Sequence, residues 1–217
     1  GKPYGVDVLV PNSYVGKGEN LSTDDLRAMI PQEHREFRAD VLEQHDLDGS
    51  DLRDNENSKS LEANSNGVLG AGLDGAKEVL EVAFAHPISL VANALGVPPK
   101  WMLDMGKEHK VPVAALVGAK QHAVKQAEAG VDIIVVSGTE GGGHCGSVST
   151  MVLVPEVRRA LKEYGDVPIL AAGGICTGEQ MAGVMAMGAD GVWCASVFLP
   201  TMEAETSDNI KEKMVAA

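Results

Sequence analysis

Apolar runs at nearly regular intervals constrain this chain most. Residues 88–94, 111–117, 132–136 and 168–172 are each dominated by Val, Ile, Leu and Ala, and 191–194 is the shorter apolar run GVWC. Each is bounded by Gly or Pro or runs straight into a polar segment, which marks short buried strands. Between them lie stretches with helical patterning at 74–85, 100–109, 120–129, 155–164 and 178–187. Pro87, Gly130 and Gly188 stop three of these, and Pro155 suits a first helical turn. Successive strands start roughly 20–35 residues apart, room for one helix between each pair. Strands apolar on both faces, alternating with helices, form right-handed βαβ units around a parallel sheet. A sixth strand candidate covers 4–10, closed by Pro11 and Asn12. A helix is expected over 22–42, capped by Ser22 or Thr23 and kinked or split at Pro31. Six strands fit an open doubly wound sheet without difficulty, whereas a closed barrel of this kind needs eight. The pattern alone leaves both open.

One segment breaks the pattern. Residues 45–67 are acidic, polar and almost free of large apolar side chains, and read as a long excursion or lid. Its carboxylates lack the alternation and the final glutamate of a calcium loop. The chain has 217 residues, enough for one sizeable core, and a net charge of −13 with no basic patch, which argues against a nucleic-acid partner. No apolar run is long enough for a membrane span. Cys145, Cys176 and Cys194 form neither a disulfide framework nor a zinc pattern, so a reducing cytoplasm and no bound metal are expected. The first residues already form a strand and the last begin a helix, so both ends look cut from something longer.

Chemistry-bearing residues gather where strands end. After 132–136 comes SGTEGGGHCG, with Glu140, His144 and Cys145 around Gly141, Gly142 and Gly143. After 168–172 comes Gly173-Gly174-Ile175. After 191–194 come Ala195 and Ser196. Glycines and a small residue at the ends of consecutive late strands leave backbone N–H groups bare, which suits a phosphate. The alternative is that AAGGI is only a tight turn. No GxGxxG opens the first unit and no GxxxxGK[ST] occurs, which disfavours dinucleotide and P-loop sites. His144 ionises near neutrality and is a candidate general base; a lone loop histidine is equally often idle. Cys145 is a candidate nucleophile, or simply a small thiol.

GTEGGGHCG, with AAGGI and GVWCASVFL after it, resembles the nitronate monooxygenase family, formerly called 2-nitropropane dioxygenases and related to flavin-dependent enoyl-ACP reductases. That family's loop typically reads G-x-E-A-G-G-H-x-G. Gly138, Glu140, Gly142, Gly143, His144 and Gly146 match it, and Gly141 stands in place of Ala. STMVLVPEV is similar to the family's Ser/Thr-rich segment and Pro-initiated helix. The resemblance covers most of residues 1–206. A cysteine loop of the inosine monophosphate dehydrogenase type fits less well.

The resemblance implies an FMN-binding (βα)8 TIM barrel, of which this chain carries strands three to eight. It lacks the first two βα units and the closing helices, so 1–217 is expected to be a single partial barrel domain. It implies that His144 is the base taking a proton from a nitroalkane or another small carbon acid. It implies FMN contacts by Ser137, Gly142 and Gly143 at one loop, Gly173 and Gly174 at the next, and Trp193, Cys194, Ala195 and Ser196 at the last. Ala195 replaces the usual phosphate-turn glycine, and Asp7 stands where the family often has Asn near the flavin. O2 or NAD(P)H is the implied redox partner. An NAD(P)H-dependent reductase, and a non-catalytic barrel fragment that self-assembles, are the alternative functions. An incomplete barrel exposes strand edges, so a homo-oligomer is expected.

Overall fold

The computed structural model describes residues 2–10, 25, 28–49, 73–165 and 167–217. Two compact units emerge, 1–12 together with 77–217, and 13–76. In the second unit, helix α1 (Gln32–Glu43) starts directly after Pro31, so the proline sets a helix boundary rather than a kink. The cap positions suggested for an earlier start, Ser22 and Thr23, lie outside the described residues, as does the polar segment from residue 50 to 67. Arg35 and Ala39 are the buried positions of α1, and Arg35 Nε donates to the Ile30 carbonyl at 3.3 Å. Gly49 returns against the helix so closely that a β-carbon there would lie 2.6 Å from the Ala39 carbonyl.

The first unit carries the sheet. Its strands are β1 (Gly5–Asp7), β2 (Leu90–Asn93), β3 (Val113–Val117), β4 (Ile133–Ser137), β5 (Ile169–Ala172) and β6 (Gly191–Trp193). All neighbouring pairs are parallel, and their spatial order is the chain order. That order decides between the two architectures. A doubly wound sheet reverses direction at a switch point, whereas this sheet never does. With every crossover of the same hand, the helices that connect β2 through β6 fall on one face. The result is a curled sheet of TIM-barrel type, incomplete at six strands.

Helix α2 (Leu73–Phe84) precedes β2, and α3 (Lys100–His109), α4 (Lys120–Ala129) and α5 (Thr150–Ala160) precede β3, β4 and β5. Then come α6 (Gly178–Ala186), before β6, and α7 (Asp208–Ala216). No described helix is long and apolar enough to cross a membrane. The helix-covered face of the sheet is closed at its centre, with Val91, Val113, Ile134, Val136 and Ile169 buried along with Met102, Leu153, Val154 and Val157. The opposite, concave face carries Ala92, Ala114, Val135 and Ala172 at its centre, and Leu90, Leu116, Ile133, Leu170 and Trp193 around them are only half-buried.

The starts of the strands are built by a repeated device. Helices α3, α4 and α6 end in a left-handed residue, Lys110, Gly130 or Gly188. The N–H of the next residue then reaches back five positions, from Val111 to Gly106, Val131 to Gln126 and Ala189 to Val184. After two of these turns comes an aspartate. Asp132 donates its N–H to the Val113 carbonyl at 3.0 Å and accepts the Val113 N–H on its carboxylate at 2.8 Å. Asp190 makes the same reciprocal pair with Ile169, at 2.8 and 2.7 Å. Each pair fixes the register of a strand against its predecessor.

The helix expected over 155–164 departs from its prediction. It begins at Thr150, with Ser149 as its N-cap, so Pro155 lies in its interior, and 161–164 is a 3-10 turn. Pro155 has no N–H for the Met151 carbonyl, but Met151 is exposed, so water can serve that carbonyl. The early start is stabilised from outside the helix, by Glu140.

Candidate active site at the strand ends

Strand β4 ends at Ser137, and the chain then makes an arch back to α5. Thr150, the first residue of α5, is buried and holds the base of this arch. Its hydroxyl accepts the Gly138 N–H at 3.2 Å. The single hydroxyl proton lies between Glu140 Oε2 at 2.9 Å and the Ala172 carbonyl at 3.1 Å. The Thr150 N–H also donates to Glu140 Oε2, at 2.9 Å. Thr150 therefore ties together the ends of β4 and β5 and the carboxylate. That carboxylate sits at the N-terminus of α5, where a negative charge is stabilised by the unpaired N–H groups. The Thr150 N–H, chiefly, holds the Glu140 carboxyl below its ordinary range, with the residue's own N–H and the two threonine hydroxyls adding to it.

The other foot of the arch is a backbone contact. A β-carbon on Gly146 would collide with the Gly118 carbonyl just beyond β3, and one on Gly118 would lie 2.9 Å from the Gly146 nitrogen. Between the feet, Gly142 and Gly143 have open space where a side chain would be, and Gly143 has φ +76°. His144 and Cys145 are exposed on this span. The Cys145 thiol is 3.8 Å from the Thr139 carbonyl. Gly141 sits so that a methyl group would come within 2.6 Å of Ser137 Oγ.

The turn after β5 packs on the same arch. Gly173 and Gly174 have φ of +94° and +68°, and a β-carbon on either would meet Gly141 or Glu140 at 2.9–3.0 Å. Gln180 fixes the far side of the turn by a capping box. Its carboxamide oxygen accepts the N–H groups of Cys176 and Thr177, its amide donates to the Gly174 carbonyl at 2.9 Å, and Thr177 Oγ1 accepts its N–H. The N–H groups of Cys176, Thr177 and Gln180 are thus occupied. Those of Gly173, Gly174, Ala195 and Ser196 donate to none of the described residues. Ala195 has φ −124°, so the residue that replaces a glycine does not need the left-handed backbone that glycine favours.

Register places the remaining candidates. Ser137, Ala172 and Trp193 share one row across the concave face, near the strand ends. Ser137 and Trp193 are two strand spacings apart, about 9–10 Å. Cys194 follows, half-buried, and Ala195 and Ser196 lead exposed into a 3-10 turn. Asp7 shares the concave face but lies in another row, Asp7–Ala92–Ala114–Ile133, three strands from β4. Its carboxyl is exposed at the edge, yet partial loss of water pushes its pKa up. The fold thus brings Ser137, Gly142, Gly143, His144, Gly173, Gly174 and the 193–196 segment to one end of adjacent strands, and leaves Asp7 to one side. Thr150, Gly118 and the capping role of Glu140 were not anticipated from sequence. A Thr ten residues after the loop glutamate, at the start of an apolar helix, was the available signal.

The nitronate monooxygenase family model matches residues 27–217. The chain belongs to the nitronate monooxygenase family. Among curated proteins, "Putative monooxygenase Rv1533" of Mycobacterium tuberculosis is 47% identical over 218 residues, covering 100% of this chain and 56% of that protein. The chain thus spans about half the length of this relative. Among solved structures, FabK from Thermotoga maritima is 32% identical with a TM-score of 0.59, over 65% of this chain and 44% of that one. Nitroalkane oxidase from Streptomyces ansochromogenes aligns over 97% of this chain and 55% of its own, with a TM-score of 0.66 at 23% identity. At that identity the last likeness speaks to the fold alone.

Proposed function

We infer that this chain forms the cofactor- and substrate-binding part of an FMN-dependent oxidoreductase that oxidises nitronates or nitroalkanes. The observation that carries the reading is the row of bare N–H groups at Gly173, Gly174, Ala195 and Ser196, beside the open glycine arch and the Ser137–Trp193 row. The donor set fits a phosphate attached to a flat ring system. Backbone donors with no side chain in the way would take the phosphate. The glycine backbone of 142–143 admits a plane at close range, and Trp193 offers an apolar wall. FMN, when bound, supplies the electron-accepting ring.

His144 is the base in this reading. It is exposed on the arch, free to meet a substrate, and an imidazole accepts a carbon-bound proton at neutral pH when held against it. Glu140 is unsuited to that role. Its carboxylate is committed to Thr150 and is a weaker base than usual. Three free thiols suit a reducing cytoplasm. The outer edges of β1 and β6 have no strand neighbour among the described residues, and the reading extends to a homo-oligomer that covers them. A monomeric mass in solution overturns that extension.

FMN titration followed by visible absorbance tests the reading first, and failure to take up flavin sinks it. With flavin bound, oxygen consumption is measured on a neutral nitroalkane and on its pre-formed nitronate. His144→Ala is expected to abolish the first and spare the second. Equal loss of both overturns the base assignment. NAD(P)H oxidation without nitronate turnover moves the reading to a reductase on the same scaffold.

A further inference from the structure

The geometry points to Glu140, acting through Thr150, as the positioning residue that sets where the glycine arch holds His144. This rests on His144 being the base and goes beyond it. The arch runs from Gly138 to Gly146, rests on the scaffold at its two feet and meets the turn after β5 at Glu140 and Gly141. At the far foot, Gly146 lies on Gly118 by backbone contact alone. At the near foot, one carboxylate oxygen accepts the backbone N–H and the hydroxyl of Thr150, both at 2.9 Å, and lies 3.5 Å from the Thr139 hydroxyl. The same Thr150 hydroxyl holds Gly138 and faces the Ala172 carbonyl. The span between contains Gly141, Gly142 and Gly143, which have little conformational preference of their own. A glycine span cannot place a histidine unaided. Its direction is inherited from the feet, and only the near foot is built from side chains that fix an angle.

Two further observations agree. The β-carbon of Glu140 packs beside Gly174, where any side chain would come within 3.0 Å of it. The residue that anchors the arch therefore also abuts the turn proposed to hold the phosphate, so base and cofactor share one reference point. Second, Glu140 itself occupies the N-terminus of α5. That helix end is closed to a phosphate, which leaves the β5 and β6 turns as the available anion site.

The test compares Glu140→Ala, Glu140→Gln, Thr150→Val and Thr150→Ser. Amide hydrogen exchange over residues 139–146 reads the arch directly and needs no flavin. It is expected to speed up by about tenfold or more in Glu140→Ala and Thr150→Val. Thr150→Ser keeps the hydroxyl and should stay near the parent, and Glu140→Gln, which keeps an acceptor but not the charge, should fall between. With flavin bound, kcat/KM on a neutral nitroalkane should drop about a hundredfold in Glu140→Ala, as for a base displaced by roughly 1 Å. Turnover of the pre-formed nitronate, measured at saturating flavin, needs no proton taken and should fall at least about tenfold less than turnover of the neutral nitroalkane. Unchanged exchange over 139–146 overturns the proposal, and so does equal loss on both substrates. If the parent chain takes no flavin, the function above fails, while the exchange measurement still decides whether Glu140 anchors the arch.

Discussion

Both ends of the sheet use a carboxylate to catch a backbone N–H, and they use it to opposite effect. At the strand starts, Asp132 and Asp190 catch Val113 and Ile169, residues of the neighbouring strand. Each contact is reciprocal and short, and Asp190 is further held by Arg158, which also donates to the Gly188 carbonyl at 2.7 Å. At the strand ends, Glu140 catches Thr150, and the segment it anchors is a glycine span with exposed residues on it. One rim locks strand to strand. The other locks a helix to a loop and leaves N–H groups unspent. The difference shows how a parallel barrel separates stability from chemistry: the same hydrogen bond is structural or functional according to what it holds still.

The comparison breaks most sharply at Gly138. A β-carbon there would overlap the Thr150 nitrogen, so Gly138→Ala must displace either the helix start or the loop. A loss of about 3 kcal/mol is expected, the upper range for overpacking, read by urea denaturation. FMN affinity should fall at least about tenfold with it, because the near foot carries the site. Next in size is Asp190→Ala, at the other rim. Removing the acceptor of the Ile169 N–H and the partner of Arg158 should cost about 1–2 kcal/mol. FMN affinity should stay within about twofold, since the change is at the far end of the strands. A tenfold loss of flavin binding in Asp190→Ala would erase the distinction between the rims.

A smaller effect is expected on acidification. Glu140 has its carboxyl lowered from 4.5 in the folded chain. Its contribution is therefore present above pH 4.5, shrinks as pH falls below that value, and is gone below the lowered folded pKa. Amide protection over residues 139–146 should weaken across that window in the parent chain. In Glu140→Gln, which has no proton to gain, the same window should be flat. Matching pH profiles in the two would show that the carboxylate charge does not hold the arch.

Much of this is legible in the sequence alone. Continuous apolar runs separated by helical patterns give parallel βαβ units, because a strand buried on both faces has few other solutions. The helices 100–109 and 120–129 lie where their terminal residues predict. The choice between an open and a curled sheet was not legible from patterning. It depends on which strand pairs with which, a long-range fact that no local pattern encodes. Pro155 misled the prediction because proline prefers a first turn, whereas here a carboxylate ten residues before Thr150 stabilises an earlier one. Gly130-Val131-Asp132 and Gly188-Ala189-Asp190 repeat visibly, but only the fold shows that each aspartate reaches back one strand. The arch was legible as to residue type and not as to mechanism. Its glycines and histidine stand out in composition, while Thr150 looks like any helix-start threonine.

The last and smallest effect belongs to a carboxylate with no such partner. Asp7 ends β1 on the concave face, and none of the described residues hydrogen-bonds its side chain. Partial desolvation raises its pKa from 3.8. For an acid this sign means the fold prefers the protonated form. Ionised Asp7 is then a cost, which sets in as pH rises from 3.8 through the raised folded value and persists at neutral pH. Asp7→Asn should match the parent in stability at low pH and be slightly more stable at neutral pH, by less than about 1 kcal/mol for so exposed a group. It also removes a negative charge from the same concave face, to one side of the site proposed to hold an anion. FMN affinity should rise about two- to fivefold at neutral pH and low salt, and the gain should shrink as salt is added. A gain that is insensitive to both pH and salt would mean the asparagine makes a contact of its own. The charge of Asp7 would then be irrelevant, and only the rim built around Glu140 would set the electrostatics of the site.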